Sequence, residues 1–316
     1  MVYGVIPPDD QEALVPSYVP LPVGALSRDR SAVVGAAGHL FILEGTNSLF
    51  AQYEQPETDA QKVALSDTVE RWRALVDQRE KTADAFGARF VQLFVPDKSS
   101  VLDSGVPGLG PVTPLLDALE RALPVDSGYL SARHALRDEV ESERDLSARW
   151  LLFDSHTSAR GSMRIASALA QAIGDASFMD DMDFIPGGTF VGDLGARFFG
   201  YPMPEPDVSP RSRWLDTVAS GRELVARRQP PRGHTGLTLH WRTPRAPIDA
   251  KVLVFGNSFF GGGDLPRGIN YWVSRVFREH RFVWSAEMLD EVIEEMRPDI
   301  VICQTVERFM PTIPGR

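Results

Sequence analysis

Only one cysteine, Cys303, occurs in the 316 residues, so an internal disulfide is excluded. It lies in the apolar run Ile300, Val301, Ile302 and reads as a buried core thiol. Basic residues are the minority, 33 Lys and Arg against 43 Asp and Glu, giving a net charge of −10. That balance argues against a nucleic acid or an anionic membrane surface as partner, and fits neutral or cationic substrates better. No uninterrupted apolar stretch approaches the roughly 20 residues needed to cross a bilayer, so no membrane span is expected. The first thirty residues lack a basic segment followed by an apolar one. They read as an extended arm over residues 1–34 punctuated by Pro7, Pro8, Pro16, Pro20 and Pro22, and the expectation is a cytoplasmic protein as the sequence stands, or an exported one if a leader has been removed. The histidines His39, His134, His234, His240 and His280 show no H-x-x-x-H or E-x-x-H spacing on an expected helix, so no metal is expected.

Against these absences stands a 43% hydrophobic content, enough for a sizeable core in one domain over 35–316. Leu65, Val69, Trp72 and Val76 recur at steps of four, three and four, which predicts a long helix from Asp59 to about Phe86. Strands are expected at Leu40 to Leu43, Phe90 to Val95, Trp150 to Phe153, Lys251 to Phe255, Arg281 to Trp284 and Ile300 to Thr305. Further helices are expected around Leu115 to Leu123, Ala132 to Glu143, Ile165 to Ile173 and Ile269 to Phe277, with a last one capped by Ser285 and carrying Met288, Leu289, Val292, Ile293 and Met296. The segment from about 175 to 250 is rich in Gly, Pro and Arg, and apart from a strand-like Leu237 to Trp241 it reads as an irregular insertion. Alternating strands and helices imply an α/β fold with a mostly parallel sheet covered on both faces.

Two places carry parts of a nucleophilic mechanism, in which a base must take the hydroxyl proton and a third group must hold that base. Gly256-Asn257-Ser258-Phe259 follows an apolar strand, where a tight turn presents Ser258 at the carboxyl edge of the sheet, the usual ligand edge of open α/β sheets. Gly261, Gly262 and Gly263 let a substrate approach the backbone, and the Ser258 amide is a candidate oxyanion donor. Asp154-Ser155-His156 also ends an apolar run, and an aspartate two residues before a histidine can orient its ring. Together they make a complete acyl-transfer set.

These residues resemble a family. Asp154-Ser155-His156 with Gly161, and Gly256-Asn257-Ser258-Phe259, are similar to the D-x-H and G-D-S-F elements of the SGNH-like polysaccharide O-acetyltransferases, the group that includes the alginate O-acetyltransferases. Gly38-His39-Leu40-Phe41-Ile42-Leu43 with Gly45-Thr46-Asn47, Val95-Pro96-Asp97-Lys98 and Val306-Glu307-Arg308 resemble its glycine-aromatic strand, its P-x-K turn and its closing V-E-R, in order over roughly 35 to 310. The resemblance implies a three-layer SGNH-hydrolase-like α/β domain with Ser258 as nucleophile, His156 as base and Asp154 as its orienting acid. It further implies a saccharide acceptor, an acyl donor as co-substrate (acyl-CoA or an acylated partner) and no bound cofactor. A biosynthetic partner protein is also implied, since family members work outside the cytoplasm with membrane partners. Thr157 stands where the family has tryptophan and Asn257 where it has aspartate, so alginate itself is not implied. Asn257, Phe259, Gly256, Thr157 and Trp241 are the candidate oxyanion or substrate-binding residues, Trp241 by stacking on a sugar ring. Lys98 is expected to pair with Asp97 in its turn, and Glu307 with Arg308 behind the sheet. The resulting expectation is an O-acyltransferase working through a serine acyl-enzyme, with two alternatives: a carbohydrate esterase of the same chemistry, or a non-catalytic carbohydrate-binding or assembly protein.

Overall fold

The computed structural model describes residues 21–45, 47–123, 128–137, 148–261 and 263–315. Residues 1–20 of the expected arm, Thr46, residues 138–143 of the expected third helix and Gly262 therefore lie outside the described residues.

A short antiparallel pair opens the described chain, β1 (Ala32–Val34) with β2 (Leu40–Ile42). The main sheet has seven strands in the order β4-β3-β11-β9-β10-β8-β7. These are β3 (Arg89–Val95), β4 (Tyr129–Ser131), β7 (Glu223–Arg228), β8 (Thr238–Arg242), β9 (Ile248–Gly256), β10 (Phe277–Trp284) and β11 (Ile300–Val306). The first five in spatial order run parallel; β8 then pairs antiparallel with β10, and β7 antiparallel with β8.

Strands buried on both faces explain the continuous apolar runs. Val252, Val254, Ile300 and Ile302 face one helical layer, with α4 (Ala159–Ile173) and α7 (Ile269–Val276). Leu253, Phe255, Val301 and Cys303, the alternate residues, face α1 (Asp59–Ala85) and α8 (Asp290–Met296). Burial also pushes the Cys303 thiol up, which keeps it protonated and inert. The Thr58 side chain accepts from Gln61 N–H and Gln61 reaches back, a capping box that sets the start of α1. Two smaller helices, α2 (Pro114–Ala122) and α3 (Ala132–Arg137), complete the layers. Among the described residues no helix is long and apolar enough to cross a membrane.

Three expectations are corrected. Trp150 to Phe153 is not a strand: only Trp150 makes an isolated bridge, to Thr157, and residues 152–156 form a bend. Ser285 does not cap the last helix, because its Oγ is engaged with Glu287 N–H at 3.0 Å and helical geometry begins only at Asp290. The stretch from about 175 to 250 is structured throughout much of its length. It forms a separate hairpin of β5 (Asp183–Val191) and β6 (Pro204–Arg211), helices α5 (Gly195–Phe199) and α6 (Arg213–Ala219), and the two antiparallel strands of the main sheet.

Candidate active site

Ser258 follows β9, the central strand, at the carboxyl end of the parallel sheet. Gly256 lets Gln304 come close, its Oε1 lying 2.9 Å from where a Cβ would stand. Gln304, on β11, uses that oxygen to accept the Asn257 N–H at 3.0 Å. The Asn257 carbonyl accepts Phe260 N–H at 3.0 Å and Gly261 N–H at 3.2 Å, and its side-chain oxygen accepts Phe259 N–H at 3.2 Å. The turn is thus closed from inside, and Ser258 stands at its apex.

The histidine arrives from the bend at 152–156. His156 Nε2 lies 2.9 Å from Ser258 Oγ, and His156 Nδ1 lies 2.7 Å from Asp154 Oδ1. The same Asp154 oxygen accepts the His156 backbone N–H at 2.7 Å, and Oδ2 accepts the Asp193 N–H at 3.0 Å. Burial raises the Asp154 pKa, but the hydrogen bond and charge of His156 and the two amides outweigh it, so the carboxyl is held below its ordinary range. An ionised Asp154 accepts a hydrogen bond from Nδ1–H, which keeps the proton on Nδ1 and leaves Nε2 free to accept from the serine hydroxyl. The three residues paired by the motifs are therefore brought together in bonding contact.

Asp193, which sequence patterning did not reveal, accepts Ser155 N–H and Ser155 O–H, both at 2.8 Å. Ligand atoms of Asp154, His156 and Asp193 lie within 4.8 Å of one another, the arrangement that could hold a cation. Each is already engaged in the hydrogen bonds just described, so the set reads as a proton relay with its support. Gly192 lets this segment abut the bend: a Cβ there would sit 2.2 Å from the Phe153 carbonyl oxygen. Gly192→Ala is expected to cost about 1–3 kcal/mol of stability, measured by urea unfolding, because backbone must move to admit the methyl.

Lys98 does not pair with Asp97. Its buried Nζ donates to the carbonyls of Leu40 at 2.9 Å, Leu151 at 2.6 Å and Leu152 at 3.4 Å, clamping the histidine bend to β2. Burial lowers its pKa to about 8, against the opposing pull of Glu205, Asp154 and Asp193. Asp97 instead pairs with Arg308, whose N–H it also accepts at 2.9 Å. Nor does Glu307 pair with Arg308. It accepts Asp97 N–H at 2.8 Å, Ser100 O–H at 2.8 Å and Thr113 O–H at 2.7 Å. The two motifs lock each other across the sheet. Burial and then the Asp97 charge push Glu307 up from its ordinary 4.5 to about 7. The native state then holds a proton that the unfolded chain has released, so this contribution is full below pH 4.5 and is lost as pH rises through about 7. Urea midpoints should fall over that window, and Glu307→Gln should flatten the slope.

Beside Ser258 opens a cleft of ≈ 480 Å³. Leu151, Leu237, Leu239, Phe190 and Trp284 give it apolar walls, and Gly261 and Gly268 form part of its floor. Outside Asp154 and His156, its titratable lining groups are Arg227, His234 and Arg267, all basic, so the net charge of the chain does not describe the cleft. Arg267 is set by Asp207 at 3.3 Å and lies over the Phe190 ring at 3.6 Å.

The remaining sequence candidates fall into supporting positions. Phe259 is buried behind the histidine, ring centroids 4.8 Å apart, and braces it without facing the cleft. Thr157 is fully buried, its hydroxyl 2.8 Å from Ser162 Oγ, and offers nothing to an acceptor. Trp241 is corrected for the same reason: it is 2% exposed, with one face stacked on His280 at 5.5 Å. The cleft tryptophan is Trp284, whose register partner on β9 is Gly256 and which stacks on His234 at 4.8 Å. Its position at the end of a parallel strand was the one signal that could have marked it.

No family model matches the sequence, and no curated protein matches it. Several solved structures share its fold. The O-acetyltransferase domain of Pseudomonas putida AlgJ superposes with a TM-score of 0.55 at 15% identity, covering 89% of this chain and 92% of that one. Bacillus cereus PatB1 with a sulfonyl adduct gives 0.56 at 11% identity, over 77% of this chain and 88% of that one. A DHHW family protein from Eubacterium siraeum gives 0.53 at 12% identity, over 93% and 96%. At these identities the likeness is one of fold, and the chain shares the SGNH-like α/β fold of the AlgJ O-acetyltransferase domain.

Proposed function

We propose that the chain is a serine-dependent O-acyltransferase that moves an acetyl or other acyl group onto a hydroxyl of a saccharide. The observation that carries this reading is the Ser258–His156–Asp154 relay at 2.9 and 2.7 Å, open to a cleft. As Ser258 Oγ attacks the donor carbonyl, its proton passes to His156 Nε2, and Asp154 stabilises the resulting imidazolium. The histidine returns that proton to the departing group, leaving an ester on Ser258. An acceptor hydroxyl then enters, gives its proton to His156 as its oxygen attacks the ester, and the serine oxygen recovers the proton on leaving. Ser258 N–H, without a protein partner among the described residues, and Asn257 Nδ2 are the oxyanion donors of this reading.

The acyl donor, acyl-CoA or an acylated partner, is a co-substrate. The O-acetyltransferase name of the Pseudomonas putida neighbour supports acetyl as the group and transfer as the reaction. Hydrolysis has one observation in its favour: the His156 side chain is 25% exposed, so water reaches the base. The two reactions separate in one experiment, in which the protein is incubated with p-nitrophenyl acetate and a panel of oligosaccharides. Acetylated sugar by mass spectrometry supports transfer; acetate release unchanged by every sugar supports the esterase.

A further inference from the structure

We propose that Glu205 is a positioning residue of this site: from the β5–β6 hairpin, its buried carboxylate holds the bend that carries Asp154 and His156. The inference rests on the Ser258–His156–Asp154 reading and adds to it a residue that touches no reacting atom.

The bend needs such a holder because it belongs to no sheet. Its backbone makes a single bridge, Trp150 to Thr157, before the chain enters α4. Backbone takes part of its carbonyls, Leu40 N–H donating to Leu152 O at 2.8 Å and Leu194 N–H to Phe153 O at 2.9 Å, but the Leu152 and Phe153 N–H groups point to side chains, as buried donors outside a ladder must. Two buried groups supply the partners: the Glu205 carboxyl, which burial pushes up to about 7 against the pull of the two amides and Lys98, and the Lys98 ammonium. Glu205, 3% exposed, accepts Leu152 N–H at 2.5 Å on one oxygen and Phe153 N–H at 2.9 Å on the other. Lys98 Nζ takes the carbonyls of Leu151 and Leu152 from the other side. The carboxyl oxygens thus take donors, the ammonium takes acceptors, and both act within three residues of Asp154. The hairpin is tied in a second time through Asp193, just beyond β5, at Asp154 Oδ2. Charged groups clustered with Glu205 are Lys98, Asp154 and Asp193.

A glutamine at 205 has one acceptor oxygen for two amides, and its NH2 would face the second N–H, donor against donor, in a buried place. The bend must then shift, and a displacement of about 1 Å at a catalytic group can cost on the order of 100-fold in rate. Glu205→Gln is therefore expected to lower kcat for p-nitrophenyl acetate about 10- to 100-fold while leaving KM within about twofold, because Leu237, Leu239 and Trp284, most of the apolar wall, lie outside the hairpin. Two readouts report geometry without turnover. The deshielded Nδ1 proton of His156 in the proton NMR spectrum should shift or broaden in Glu205→Gln. In the parent protein the Leu152 and Phe153 amides should be protected from exchange although they lie in no strand or helix. If the parent shows no turnover, or Ser258→Ala matches it, the functional reading fails and these two readouts still judge Glu205. An unchanged kcat and His156 proton signal in a folded Glu205→Gln protein would overturn the positioning role. Should that variant not fold, fast exchange of both amides in the parent would do the same.

Discussion

Replacing Ser258 by alanine will reduce turnover of an activated ester on the order of 10⁵-fold or more, down to the residual catalysis that binding and the oxyanion donors supply. Among the described residues the hydroxyl is the group at that apex placed to form the covalent ester, and its hydrogen bond there is to His156 Nε2. Nothing else in the fold depends on it, so thermal stability should be nearly unchanged. That pairing of outcomes separates a lost nucleophile from a damaged structure. His156→Ala should cost a similar factor, and the double variant should be no worse than either single one, because a nucleophile without its base and a base without its nucleophile leave the same residual catalysis. Multiplicative losses would show that the two side chains do not act as a unit.

Asp154→Asn should lower the acylation rate about 10⁴-fold, for a different reason. The carboxylate receives three N–H groups: His156 N and Nδ1 on one oxygen, and Asp193 N on the other. An asparagine satisfies only one side. With its oxygen toward His156, its NH2 meets the Asp193 amide; turned over, its NH2 meets Nδ1, which then must carry no proton, and the proton moves to Nε2. In that tautomer the ring cannot accept from Ser258. Either choice also strands a buried donor, so a stability loss of about 1–3 kcal/mol should accompany the kinetic loss. Steady-state rates with p-nitrophenyl acetate and urea midpoints on the same samples test both halves. An Asp154→Asn protein with near-parental turnover would remove Asp154 from the relay.

Much of this architecture was legible before any coordinates. β3, β9 and β11 are buried on both faces, so their apolar runs stand out, and the steps of four and three through Val69, Trp72 and Val76 mark one face of α1. Ser258 and the Asp-His pair that meets it were legible as candidates because each sits in a short turn whose residues act locally: Asp154 bonds His156, two positions on, and Asn257 bonds Phe259. What escaped was held by long-range polar contacts. Trp150 to Phe153 has the composition of a strand, yet its peptide groups go to Lys98, Glu205 and single backbone contacts from Leu40 and Leu194 rather than to a ladder. The β5–β6 hairpin carries Pro186, Gly187, Gly188, Pro204, Pro206 and Pro210, and much of it is exposed, so it has no alternation to read. β7 is exposed at every position, an edge strand without a buried face. Trp241 and Trp284 are indistinguishable as tryptophans on strands. Only the register shows that the first is covered by His280 while the second ends beside Gly256.

The basic lining of the cleft carries the same lesson for charge. A chain with a net of −10 places Arg227, His234 and Arg267 around its serine, and whole-chain charge bears on solubility and encounter more than on what one cleft accepts.

The central claim, that Ser258 becomes transiently acylated, is tested most directly by intact-mass spectrometry and peptide mapping after rapid quenching of a reaction with p-nitrophenyl acetate. The account predicts a single added acetyl group on the peptide containing Ser258, absent from Ser258→Ala and from His156→Ala. An acetyl group on another residue, or the same mass gain in all three proteins, would contradict it.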